Sequence, residues 1–158
     1  MRRMGVGFLL AVLVIVLDQA SKWMATQELA QKGITLLPGF FDLVLVHNVG
    51  AAFGLFTGFA PEIRLIFLCA VALVASVIVT YLLYKAHTWI LVGAYGLVLG
   101  GALGNLIDRV RFGWVVDFIH LHWHDLSWPV FNLADSAITL GVGLLLLDHL
   151  ITSDSSDS

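Results

Sequence analysis

The chain has very little charge for its length. Only 12% of its 158 residues are Asp, Glu, Lys or Arg, whereas soluble domains contain roughly 25%. Hydrophobic residues make up 59%, so the sequence cannot cover a folded domain of this size with a polar surface. This composition excludes an ordinary water-soluble domain and predicts one integral-membrane domain, residues 1–158, that uses the bilayer as part of its solvent.

The chain also lacks an excess of positive charge and a second cysteine. Its net charge is −3, which excludes the basic surface expected of a protein that binds nucleic acid. The single cysteine, Cys69, lies in an apolar run and can form no intramolecular disulfide. Because it has no neighbouring partner for a metal or nucleophile site, we interpret it as a small buried apolar residue.

Four apolar segments have the length that a bilayer-crossing helix requires, about 20 residues. They span residues 4–25, 65–84, 88–107 and 133–151. The first segment resembles a secretory signal peptide, but no small-residue cleavage site follows it, so we predict an uncleaved helix. The polar tail at 152–158 is predicted to be disordered.

The two loops that lie on one side of the predicted bundle each contain a strand-like segment. Residues 41–46 and 114–123 are rich in β-branched and aromatic side chains, which predicts a small β platform built from these loops. Positive residues near the opposite ends, Arg2, Arg3 and Lys85, favour cytoplasmic termini. The platform would then be extracytoplasmic.

Glycines recur every fourth residue along one stripe of the third predicted span, at Gly96, Gly100 and Gly104. Small residues at this spacing allow the backbones of neighbouring membrane helices to approach closely. The stripe therefore predicts a helix–helix contact in the third span.

Most of the polar side chains that could take part in catalysis lie between residues 104 and 136. Asp117 interrupts an apolar run, and Asp135 lies in the first turn of the fourth span. Two carboxyl groups held close together share a proton, so that one can act as general base and the other as general acid. An alternative remains open for Asp135, since Asn132 and Asp135 also have the spacing of a helix-capping pair.

Two further charged residues lie within the first span. Asp18 and Lys22 are four residues apart and share one face of a helix, where they can form an ion pair. Charges within a membrane helix are costly and usually face protein or water. We interpret them as a structural pair, with direct participation in chemistry as the alternative.

Five short motifs follow one another in a distinctive order. They read DQASK at 18–22, HNVGAAFG at 47–54, GNLIDR at 104–109, VVDF at 115–118 and FNLADS at 131–136. With these motifs and four predicted spans, the chain resembles the lipoprotein signal peptidases (signal peptidase II), aspartyl proteases of the bacterial inner membrane. The resemblance covers nearly the whole chain.

The resemblance assigns roles to individual residues. It implies that Asp117 and Asp135 are the catalytic pair and that Asp18 and Lys22 support the site. The motif positions implied to line or support the substrate site are Asn48, Gly50, Asn105, Arg109 and Asn132. Asp108 also lies in a motif, and we expect it to pair locally, with Arg111 as the candidate.

The resemblance further implies an endopeptidase that cuts a diacylglyceryl-modified prolipoprotein on the amino side of its lipidated cysteine. The active site would lie at the periplasmic interface, among membrane lipids, and globomycin-type cyclic peptides would inhibit it. Such chemistry requires no cofactor and no metal.

Three other interpretations remain open. His120, His122 and His124 alternate, with Asp125 adjacent and His47 available, which is a possible zinc or copper site. Charges near the spans are also found along ion paths in transporters. A membrane scaffold without catalytic activity is the third interpretation.

Overall fold

The computed structural model describes residues 2–50 and 60–154 and consists of four long helices and a four-stranded sheet. The helices are α1 (Arg2–Glu28), α2 (Pro61–Lys85), α3 (Trp89–Phe112) and α4 (Leu133–Asp154). The strands are β1 (Ile34–Leu37), β2 (Phe41–Asn48), β3 (Val115–Trp123) and β4 (Leu126–Ser127). All four helices are long and apolar enough to cross a membrane, so the predicted fold class is confirmed.

The helix boundaries differ from the predicted spans mainly at one end of the bundle. α1 continues to Glu28 and α3 to Phe112, each beyond the predicted apolar segment. Residues 152–154, which were predicted to be disordered, instead continue α4. There Thr152 donates a hydrogen bond to the backbone oxygen of Asp148 at 2.7 Å, and residues 155–158 of the predicted tail lie outside the described range.

The predicted glycine stripe forms the contact between α1 and α3. A Cβ atom added to Gly96 would lie 2.8 Å from the backbone oxygen of Gly7, and one added to Gly100 would lie 2.8 Å from that of Ala11. A real side chain would not fit at either position. The helices therefore approach backbone to backbone, as small residues allow in a bilayer.

The sheet is antiparallel, with strand order β1-β2-β3-β4. Its central pair joins the two loops predicted to form the platform, with Asn48 opposite Val115 and Asp42 opposite His120. The register between β2 and β3 shifts between Leu43 and Val46. β1 and β4 were not predicted, because both are short and have exposed side chains that give no alternating pattern.

Candidate active site

α4 begins with a reciprocal pair of hydrogen bonds that fixes Asp135. The Asn132 side chain accepts a hydrogen bond from the backbone N–H of Asp135 at 2.9 Å. In return, Asp135 Oδ2 accepts one from the backbone N–H of Asn132 at 3.2 Å. The two residues therefore form the predicted capping pair. The other carboxylate oxygen, Asp135 Oδ1, accepts a hydrogen bond from the Asn105 side-chain amide at 2.8 Å.

Asp117 lies on β3 and is held by two side-chain amides. Asn48 of β2 donates to Asp117 Oδ2 at 2.9 Å, and Asn132 donates to Oδ1 at 2.7 Å. The residue is 2% exposed. Burial is the main cause that raises the pKa of Asp117; the nearby Asp135 carboxylate also raises it and the two amide hydrogen bonds lower it, with a net pKa of about 6.

Asn132 is therefore the residue shared by both carboxyl groups. Its backbone N–H contacts Asp135 and its side-chain amide contacts Asp117. It is fully buried and also donates to the Asn105 side-chain oxygen at 3.1 Å. Both acids line the same cleft, whereas Asp125 is not among its lining residues. The fold therefore brings together one residue from β3 and one from α4.

A second polar cluster lies behind this pair, between α1 and α3. Lys22 forms ion pairs with Asp18 at 2.8 Å and with Asp108 at 3.0 Å, and all three side chains are almost fully buried. Lys22 also donates to Asn105 at 2.9 Å. Because the Asn105 side chain also donates to Asp135, it connects the ion-paired cluster to that acid.

Asp18 and Asp108 each bind a further element through backbone N–H groups. Asp18 Oδ1 accepts from Ala134 in the first turn of α4 at 2.9 Å, where a negative charge is favourable. Asp108 Oδ2 accepts from Val116 of β3 at 3.1 Å. The cluster therefore connects α1 to the start of α4 and to the start of β3, the two elements that carry Asp135 and Asp117.

The expectation that Asp108 pairs with Arg111 is wrong. Asp108 is 1% exposed and faces α1, whereas Arg111 is exposed and donates to Gln19 at 3.4 Å. Gln19 also donates to Asp108 at 2.8 Å. The sequence reading missed Gln19, although it lies within the DQASK motif.

Arg109 and Gly50 lie at the edge of the cleft and contact each other. Arg109 donates to the backbone oxygens of Gly50 and Asn105, each at 3.3 Å. The Gly50 N–H donates to the Asn48 side chain at 3.0 Å. These contacts connect the loop after β2 to α3. Residues 51–54 of the second motif lie outside the described residues.

The cleft that the two acids line is large, and its surface away from the acids is mostly apolar. Its volume is about 1060 Å³. The polar end contains Asn48, Asn105, Arg109, Asp117 and Asp135. The wall was not predicted from the sequence and is formed by Leu121, Trp128, Phe131, Ile138 and Leu140.

Comparison with known proteins decides the family. Residues 10–151 match the profile of a protein family described as Signal peptidase (SPase) II. The chain belongs to the signal peptidase II family. It is therefore a multi-pass bacterial membrane peptidase of the aspartic type, which displaces the transporter and scaffold interpretations.

Individual relatives agree along almost the entire chain. A lipoprotein signal peptidase of Syntrophotalea carbinolica is 46% identical over 142 residues, which cover 88% of this chain and 87% of the relative. One from Symbiobacterium thermophilum is 44% identical over 147 residues, covering 92% and 93%. A solved bacterial membrane enzyme superposes with a TM-score of 0.82 at 33% identity, covering 98% of this chain and 92% of that one.

Proposed function

We propose that this signal peptidase II removes the signal peptide from prolipoproteins, using Asp117 and Asp135 as its catalytic pair. The bond cleaved would be the one on the amino side of a diacylglyceryl-modified cysteine. The observation that carries the proposal is the shared Asn132, which contacts both carboxyl groups within one cleft.

The environment of the two acids supports a shared proton. Among the described residues, neither Asp117 nor Asp135 forms a salt bridge, and their hydrogen-bond donors are neutral amides and a backbone N–H. Two negative charges in one cleft would repel each other, and Arg109, which also lines the cleft, donates to backbone oxygens rather than to the acids, so one acid retains a proton. Burial favours residence of that proton on Asp117.

Hydrolysis then requires one water and the pair. The ionised carboxylate takes a proton from the water as its oxygen attacks the carbonyl carbon of the scissile bond. The protonated carboxyl group gives its proton to the leaving nitrogen when the C–N bond breaks. The products are the released signal peptide with a new carboxyl group and the lipidated cysteine with a free amine.

The apolar wall of the cleft suits a substrate with a lipid and a helix. Acyl chains and the apolar signal helix can enter sideways from the bilayer and contact residues such as Trp128, Phe131 and Leu140. Binding of these distant apolar groups would position the scissile bond at the acids. Asn48, Gly50, Asn105, Arg109 and Asn132 would hold the acids and the polar part of the substrate.

We place both termini in the cytoplasm and the cleft at the periplasmic face of the inner membrane. At the end of the bundle opposite the cleft, the Arg3 guanidinium packs over Trp89 at 5.4 Å and donates to the His87 backbone oxygen. Lys85 lies over the Tyr81 and Tyr84 rings. Positive charge with aromatic anchors at an interface supports this orientation.

The decisive experiment incubates the purified protein with one precursor peptide in diacylglyceryl-modified and unmodified forms. We expect cleavage of the modified form only, with mass spectrometry placing the cut directly before the cysteine. Equal cleavage of both forms, or a cut elsewhere, would contradict the proposed substrate. Globomycin-type peptides should compete for the same cleft and slow the reaction.

A further inference from the structure

Three side chains with metal-binding groups come together on the sheet, far along β3 from Asp117. Asp42 of β2 lies opposite His120 of β3, and His122 is two residues further along the same strand. One ligand atom from each lies within 4.8 Å of the other two. The alternative histidine cluster considered from the sequence is therefore regrouped, since Asp42 joins His120 and His122.

The other residues considered for this cluster lie elsewhere. His124 adopts a positive φ of 51° and packs its ring against Trp123. His47 packs against Trp114 with 5.1 Å between ring centroids. Asp125 is exposed and is not among the grouped residues. The pairing of β2 with β3 selects Asp42, because cross-strand neighbours share one face of a sheet.

The two distances from the Asp42 carboxylate to the imidazoles are close to the ligand spacing of a tetrahedral zinc site. Asp42 Oδ2 lies 2.8 Å from His122 Nε2 and 3.9 Å from His120 Nδ1. Ligands about 2.0–2.1 Å from a tetrahedral Zn²⁺ lie about 3.3 Å apart. The two distances to Asp42 Oδ2 differ from this spacing by about 0.6 Å or less, and the three ligand atoms all lie within 4.8 Å of one another.

Each ligand is also oriented by a neighbour that is not a ligand. His120 uses its second nitrogen, Nε2, to contact the Ser127 hydroxyl of β4 at 2.8 Å, which leaves Nδ1 directed at Asp42. Thr35 of β1 hydrogen-bonds the Asp42 carboxylate. Outer partners of this kind fix the orientation of metal-binding histidines and carboxylates.

We propose that Asp42, His120 and His122 form a binding site for a zinc-type divalent cation that bridges β2 and β3. Two imidazoles and one carboxylate suit Zn²⁺ better than Mg²⁺, which prefers oxygen ligands alone. With three protein ligands, the fourth position belongs to water.

The site is separate from the cleft that holds the acids. Asp117 and Leu121 line the cleft, and alternation along β3 places His120 and His122 on the opposite face of the strand. The bound ion would join two strands that belong to different loops of the chain. It would therefore stabilise the platform without taking part in peptide hydrolysis.

The test is calorimetric titration of Zn²⁺ into the full chain in detergent, purified through a tag without histidine and treated with chelator beforehand. We expect one equivalent to bind, and Mg²⁺ at the same concentration to give no binding. Asp42→Asn and His122→Gln should each weaken Zn²⁺ affinity at least tenfold. His124→Gln is the matched control and should bind as the unaltered chain does.

A second measurement does not depend on variants that must fold. Zn²⁺ should raise the unfolding midpoint of the unaltered chain, and Co²⁺ should give the intense visible absorption bands of a tetrahedral site. Absence of a one-equivalent site in the unaltered chain would overturn the proposal. So would stoichiometric binding that survives both Asp42→Asn and His122→Gln, or that is lost with His124→Gln.

Discussion

Two clusters of carboxyl groups lie at the same end of the helix bundle, and among the described residues only one of them has its carboxylates in direct ion pairs with a cation. In the first, Lys22 lies 2.8 Å from Asp18 and 3.0 Å from Asp108. In the second, Asp117 and Asp135 are held by the neutral amides of Asn48, Asn105 and Asn132. The difference lies in how negative charge is compensated.

The comparison separates a structural role from a chemical one. A buried ion pair with all its hydrogen bonds made holds elements together, and here it joins α1 to the starts of β3 and α4. The acids of the second cluster hydrogen-bond to amides and, within the part of the chain that the structure describes, form no direct ion pair, because Arg109 in the same cleft donates to backbone oxygens; this favours a shared proton. Asn105 contacts both Lys22 and Asp135 and so links the two clusters.

The largest expected effect comes from removing either acid of the second cluster. Asp117→Asn and Asp135→Asn should each lower the cleavage rate by about 10³-fold or more, since hydrolysis needs one group as the base and the other as the acid. The measurement is turnover of a lipidated precursor, with Asp125→Asn as the control because Asp125 is exposed at the β3–β4 turn. Asparagine has the size and shape of aspartate and keeps one of its two acceptor oxygens, so both variants should stay folded; substantial activity in either one would break the comparison.

A change in the first cluster should act on stability. Lys22→Met leaves Asp18 and Asp108 buried without their cation, which should lower the free energy of unfolding by about 3–5 kcal/mol. Thermal unfolding in detergent measures the loss. Lys85→Met, at the exposed end of α2, is the control. A Lys22→Met protein as stable as the unaltered chain would show that the ion pairs contribute little.

The pH dependence of stability should reveal the buried acid in the second cluster. Burial raises the pKa of Asp117 from 3.8 to about 6, so between these values the folded state binds more protons than the unfolded one. Stability from this group is complete below pH 4 and falls as pH rises to about 6, by about 3 kcal/mol in all.

The measurement for this effect is the difference in unfolding free energy between the unaltered chain and Asp117→Asn across pH 4–7. As pH rises, the unfolding free energy of the unaltered chain should fall relative to that of Asp117→Asn, because the variant has no titrating group at position 117. A difference that is constant, or that shifts in the opposite direction, would mean that Asp117 is not held mainly by burial.

The smallest effect is expected at the rim of the cleft. Arg109→Ala removes two hydrogen bonds to backbone oxygens, including that of Gly50, and should lower kcat/KM about tenfold, or about 1.4 kcal/mol, chiefly through KM. Steady-state kinetics measure this change, with exposed Arg111→Ala for comparison. Failure of Arg109→Ala to insert into membranes would instead indicate a role in folding.

Much of the fold could be predicted from local sequence. The four helices follow from apolar length, because a bilayer requires about 20 residues. β2 and β3 follow from dense β-branched and aromatic residues. β1 and β4 could not be predicted in this way, since they are short and exposed and form only through pairing with β2 and β3.

The candidate site was less accessible to local reasoning. The motifs located Asp117 and Asp135, but the partner of Asp108 lies on another helix, at Lys22 rather than at the nearby Arg111. Spacing along one helix could not reveal this, because Asp108 faces α1 and Arg111 faces outward. The grouping of Asp42 with His120 likewise depends on strand register.

The sequence by itself determined a membrane domain of four helices, because too few charged residues exist to cover a soluble surface. It also determined where the acids, amides and glycines occur along each segment. Only the tertiary structure decided which carboxylates received a cation and which received amides. Charge compensation depends on contacts between distant segments, and those contacts exist only after the helices and the sheet have packed.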